Sequence, residues 1–225
     1  MNGQRALRWI GVAFLVLILL LPGVQWLSTS RSLWMLGTHT LPVGQVQYVL
    51  CKLVGLYTLA LLGLQLVYGL LGPARSTLGW QFGLTVHRAT GFVVLGLAAL
   101  HATSFIWAAS SRSGHLARDY LWPQFTHGYY LSRIAMGWCA AIALILLASS
   151  GALRSTSQRL WRCVHWLAIP TGAAIAYHSL SIGTETRMPL MRVVYVAMLA
   201  MVMLSVILRF KGRLPTDPRD LSLST

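Results

Sequence analysis

Apolar residues in this chain do not alternate with polar ones; they gather into long runs separated by short stretches bearing Gly, Pro, Ser, Thr and Arg. Six runs stand out, at about 9–27, 47–71, 86–108, 131–153, 160–182 and 191–210. At ~1.5 Å rise per residue, twenty or so residues cross a hydrocarbon core of about 30 Å. In that medium a helix satisfies every backbone polar group within its own segment. The pattern predicts an all-α membrane protein, a six-transmembrane-helix bundle. Residues 1–210 read as a single transmembrane domain and 211–225, with Pro215, Pro218 and two aspartates, as a disordered tail. Between the runs, 28–45 reads as a loop, Gly72-Pro73 as a helix stop, and Arg154 to Arg159 as a short basic linker. The run at 9–27 follows Arg5 and Arg8 as the core of a signal peptide would. No small-x-small cleavage pattern follows it, and Trp26 reads as an interfacial anchor, so it is taken as the first helix.

Composition agrees with the pattern: 56% of the 225 residues are apolar and 10% charged, with mean hydropathy +0.64. Eighteen basic residues against four acidic ones would suggest nucleic acid in a soluble protein. Here the arginines stand at the ends of apolar runs, where they meet lipid headgroups and set topology, so no nucleic-acid partner is expected. One side collects eleven: Arg5, Arg8, Arg75, Arg88, Arg154, Arg159, Arg162, Arg209, Lys211, Arg213 and Arg219. The other has six, Arg31, Arg112, Arg118, Arg133, Arg187 and Arg192, while Lys52 lies within the second run. The positive-inside rule then puts both termini in the cytoplasm. Cys51, Cys139 and Cys163 form no C-x-x-C pair and read as buried small residues.

The candidate chemistry lies in the third and fifth runs. His87 and His101 are 14 residues apart, and His165 and His178 are 13 apart. With six crossings, both helices run in the same direction, so the four imidazoles form two levels about 20 Å apart, one near each leaflet. A strongly polar side chain at membrane depth faces the bundle interior with a partner. Neutral imidazole can offer one ring nitrogen to a metal while the other donates a hydrogen bond, and two facing imidazoles can fill both axial positions of a haem iron. The alternative is a set of core histidines satisfied by Ser, Thr or backbone groups. Geometry raises one difficulty: at about 100° per residue, thirteen residues leave a residual of about 140° in an ideal helix, against about 40° for fourteen. Pro170, five residues after His165, removes a backbone donor, and the fifth helix is expected to be irregular there.

His87-Arg88-Ala89-Thr90-Gly91-Phe92 leading to Leu100-His101, and Arg162-Cys163-Val164-His165-Trp166 leading to Tyr177-His178, resemble the ferric reductase-like transmembrane domain superfamily. That superfamily includes ferric reductases, NADPH oxidases and the haem-binding membrane subunit of the periplasmic methionine sulfoxide reductase system; this chain is similar to the last in size and architecture. The resemblance covers about residues 45–182. It implies two b-type haems, held by His87 with His165 on the inner side and by His101 with His178 on the outer side, passing electrons across the membrane. The chain carries no G-x-G-x-x-G after a strand, so the donor is expected to be another molecule: a soluble flavoreductase, through FMN, or a quinone.

The expected function is therefore transmembrane electron transfer, in a bacterial inner membrane, from a cytoplasmic or quinone donor to a periplasmic oxidoreductase. A stand-alone ferric or cupric reductase is the alternative within the class, and a cofactor-free transporter or assembly subunit the alternative outside it. Arg88 and Arg162 flank the inner histidines and are candidate partners for haem propionates, or simply topology anchors. His39, His115 and His127 fall on the outer side and read as solvated rather than metal-binding. Trp107, Tyr120, Trp122, Tyr129 and Tyr130 read as an interfacial belt.

Overall fold

The structure is a computed structural model, and it describes residues 3–29, 41–71, 80–126 and 128–210. The Gly72-Pro73 stop, the tail 211–225, His39, His127, Arg31 and Arg75 lie outside the described residues. Every regular element among the described residues is helical. The helices are α1 (Gly3–Thr29), α2 (Gln45–Leu71), α3 (Trp80–Ser113), α4 (Gly128–Thr156), α5 (Gln158–His165), α6 (Ala168–Ile182) and α7 (Pro189–Phe210). Two short 3-10 turns, Arg118–Tyr120 and Glu185–Arg187, sit in the connections before α4 and α7.

This is a multi-pass membrane architecture. Among the described residues, four helices are long and apolar enough to cross a bilayer, over Gln45–Leu70, Gly83–Ser113, Gly128–Thr156 and Pro189–Leu208. The expected fifth span is divided between α5 and α6. Large apolar side chains such as Phe92 and Val196 are 64% and 67% exposed, as expected where the solvent is lipid tails and burial of apolar surface no longer drives association.

The helix ends run longer than the apolar runs suggest, because polar turns at the interface continue the hydrogen-bonding ladder. The third helix extends to Ser113, and the linker at 154–159 shrinks to the single residue Ser157. That serine is extended (φ −149°, ψ 101°), and its hydroxyl accepts from Leu160 N as the N-cap of α5.

The irregularity expected near Pro170 is present. Pro170 has no N–H to give the carbonyl of Trp166, and that carbonyl accepts from Ile169 N instead, at 3.3 Å. Leu167 N likewise bonds back only three residues, to Val164 O at 3.0 Å. These tighter 3-10 steps turn about 120° rather than 100° each, which reduces the angular mismatch between His165 and His178.

Helix α2 is the hub, packed against α1, α3, α6 and α7. One buried cluster joins α1, α2 and α7 through Ile18, Leu59, Ala60 and Val194. A second joins α2, α3 and α4 through Leu62, Val94 and Leu144, with Ile175 of α6 against it.

Two sequence expectations are corrected here. Trp26 is not an interfacial anchor: it is 7% exposed and its indole N–H donates to Val49 O at 2.8 Å, tying α1 to α2. Its amphipathic ring found a backbone acceptor inside the bundle. Of the cysteines only Cys51 is buried; Cys139 and Cys163 are exposed on the outside of the bundle, where a thiol is apolar enough to face lipid.

Candidate functional site

Helices α3, α5 and α6 bring the four histidines together as two facing pairs. His87 and His165 have ring centroids 6.0 Å apart with planes at 64°. His101 and His178 are 6.5 Å apart at 87°. A metal bound end-on between two imidazoles needs two bonds of about 2 Å plus about 1 Å from each nitrogen to its ring centre, so about 6 Å in all. Both separations match that requirement.

The second partners of these rings differ between the pairs. His101 Nδ1 is 2.9 Å from Cys51 O, and His178 Nδ1 is 2.7 Å from Arg133 O. A carbonyl can only accept, so each Nδ1 carries the proton, and each Nε2 is left with a lone pair. Metal-ligating histidines are commonly held in this way, by a carbonyl that fixes tautomer and ring orientation. The other pair is held differently. His165 Nδ1 lies 3.5 Å from Ser150 Oγ, at the limit of a hydrogen bond. His87 Nδ1 is buried with no hydrogen-bond partner among the described residues. Aromatic rings stack on this pair instead, Tyr68 on His87 at 5.9 Å and Trp161 on His165 at 5.1 Å.

Small residues on the neighbouring helices make the space. A methyl group added at Gly55 would stand 2.8 Å from His101 Nδ1, and one at Gly137 would stand 2.8 Å from His178 Cε1. At Gly69 the added carbon would be 3.3 Å from His87 Cε1. The register is mirrored. Gly55 and Gly69 on α2 are 14 residues apart, like the histidines they face on antiparallel α3. Gly137 and Ser150 on α4 are 13 apart, like His178 and His165. Sequence reading singled out the histidines and overlooked these residues, although the repeated spacings of 14 and 13 were there to be seen.

Midway between the levels stand the buried Leu62, Val94 and Leu144, an apolar layer that separates one pair from the other. Gln65 secures the His87 end: its Nε2 donates to His87 O at 2.6 Å, and Thr90 Oγ1 donates to its Oε1 at 2.6 Å. The His101 end holds an ion pair that sequence reading left aside, Lys52 Nζ to Glu185 Oε1 at 2.8 Å.

Arg88 and Arg162 are exposed beside the His87–His165 pair, and His115 is exposed in the connection after α3. Trp107 and Trp122 are 62% and 74% exposed, which suits a headgroup belt. No cluster of three or more His, Cys, Asp or Glu occurs among the described residues.

The family described as ferric reductase like transmembrane component matches residues 54–176, more than half of the chain. The protein-methionine-sulfoxide reductase heme-binding subunit MsrQ of Azospira oryzae is 27% identical over 156 residues, which is 68% of this chain and 60% of that protein. The chain thus spans less than two thirds of the length of the relative it matches. No solved structure matches it.

Proposed function

The chain belongs to the ferric reductase like transmembrane component family, and from that premise we propose that it is a di-haem electron-transfer subunit of a membrane oxidoreductase system. The observation that carries this reading is the double pairing: two sets of facing imidazoles at ring separations of 6.0 and 6.5 Å.

In this reading His87 with His165 and His101 with His178 would hold two b-type haems. Such a group would supply one-electron exchange. The protein's own contribution is positional and dielectric. The carbonyls of Cys51 and Arg133 hold Nδ1 of His101 and His178 and leave each Nε2 its lone pair. Gly55, Gly69 and Gly137 leave room for the rings. Leu62, Val94 and Leu144 keep water and protons out between the levels, so that charge crosses as electrons. Arg88 and Arg162, beside the His87–His165 pair, supply positive charge for the propionates there.

The full topology belongs to the same proposal: six crossings in a bacterial inner membrane, both termini cytoplasmic, and a core of about residues 45–182. The His87–His165 level then faces the cytoplasm and takes electrons from a soluble flavoreductase, through FMN, or from a quinone. The His101–His178 level faces the periplasm and delivers them to a periplasmic oxidoreductase. The name of the Azospira oryzae relative supports this reading, since it describes a heme-binding subunit of a methionine sulfoxide reductase.

The test is a dithionite-reduced minus oxidised spectrum of the detergent-purified chain with haem quantification, repeated for His101→Ala and His165→Ala. About two b haems per chain, with each variant losing one, is expected. A folded chain that takes up no haem when supplied with it would sink the reading. Reduction of chelated ferric iron without any periplasmic partner would move it to the stand-alone reductase.

A further inference from the structure

Glu185 is the one buried carboxylate among the described residues; Asp119, the other acid there, is exposed. Its side chain is 7% exposed and its partner Lys52 is 23% exposed. An ion pair at such depth loses much of its Coulombic gain to desolvation, and well-packed apolar residues would serve stability as well. In a membrane protein an ionisable pair of this kind points to function.

Its connections say which function. Lys52 follows Cys51, whose carbonyl accepts the His101 Nδ1 proton at 2.9 Å. Glu185 lies in the turn below α6 and is gripped from both sides. Thr184 Oγ1 donates to its Oε2 at 2.6 Å. The next residue, Thr186, donates to Ser179 O at 2.7 Å, and Tyr195 OH donates to Ser179 Oγ at 2.5 Å. Ser179 follows His178. The ion pair thus closes a polar circuit from behind one facing imidazole, across α2 and the turn, to the residue beside the other. On its far side Lys52 lies 4.8 Å over the Tyr48 ring, and Arg112 lies 4.5 Å from that ring's centre.

We propose that Lys52 and Glu185 are positioning residues for the His101–His178 site, an electrostatic latch that sets the separation of those two imidazoles and supplies charge that tunes the group they hold. This rests on the haem reading above.

The experiment titrates haem b into the detergent-solubilised full chain and follows the spectrum and midpoint potential of each site, with His101→Ala identifying the signal of its own site. Lys52→Met and Glu185→Gln are each expected to weaken haem binding at His101–His178 by about 10–100-fold, the usual cost of losing a group that orients a ligand. The potential of that site should shift as well, while affinity and potential at His87–His165 stay unchanged. The exchanged variant, Lys52→Glu with Glu185→Lys, should recover at least tenfold of the lost affinity. Wild-type affinity and potential in both single variants would overturn the latch, and so would equal weakening of both sites, or an exchanged variant no better than the single ones while His87–His165 stays filled. A wild-type chain that binds no haem would overturn the haem reading itself, and this role with it.

Discussion

The two histidine pairs are built from the same parts and held in different ways. At His101–His178 each ring is hydrogen-bonded to a backbone carbonyl, seated against a glycine with no room for a methyl group, and backed by a buried ion pair. At His87–His165 one Nδ1 has no hydrogen-bond partner among the described residues, the other sits 3.5 Å from a serine hydroxyl, and aromatic stacking takes the place of the carbonyls. A carbonyl bond fixes tautomer, direction and ligand basicity together, whereas a stacked ring restrains only the plane. The first pair is preorganised by backbone carbonyls; the second is packed against Tyr68 and Trp161.

Substitutions that attack one pair and spare the other should separate these two modes. The largest effect is expected from Gly55→Val and Gly137→Val, which drive branched carbons into rings that their carbonyl bonds hold in place. A cost of about 3 kcal/mol in chemical denaturation and loss of the His101–His178 haem signal are expected. An unchanged signal there would show that the ring can yield.

Next comes Gln65→Leu, which removes the donor to His87 O and the acceptor for Thr90. It should cost about 2 kcal/mol and lower occupancy at His87–His165 alone, read from the haem stoichiometry of a His101→Ala background. Pro170→Ala restores the missing N–H and lets α5 and α6 approach one regular helix, turning His165 away from His87. Haem affinity at that site should fall several-fold while His101–His178 is spared, and a titration that finds both sites equally affected would contradict the assigned role of the break.

The smallest effects belong to Ser150→Ala and Gly69→Ala. Ser150 Oγ already donates to Leu147 O at 2.6 Å, so its loss should change stability by about 0.5 kcal/mol or less. At Gly69 the contact of 3.3 Å is offset by the helix propensity of alanine, worth about 1 kcal/mol. Thermal melts of the two variants should lie close to wild type. A large loss at Gly69 would mean that the His87 ring is held as firmly as the ring of His101.

Much of this was legible along the chain. Helix-length apolar runs, the histidine spacings and the disturbance near Pro170 are local properties, written in hydropathy and in a missing N–H. Trp26, Cys139 and Cys163 were misread because their surroundings are not local. An indole suits a headgroup layer or a carbonyl inside the bundle equally well, and a thiol is at home against protein or lipid. Lys52 looked like an awkward charge in an apolar helix until its partner came from 133 residues away.

The sequence by itself determined that the chain is helical and membrane-spanning and that its imidazoles recur at two levels, because helix rise and hydrocarbon thickness convert spacing into depth. Only the tertiary structure decided which ring nitrogen keeps its proton, and that Gly55, Gly69, Gly137 and Ser150 oppose the rings in mirrored register. Those outcomes depend on how helices distant in sequence are rotated and placed against one another. In a membrane that placement is settled by close packing and polar contacts, which hydropathy does not encode.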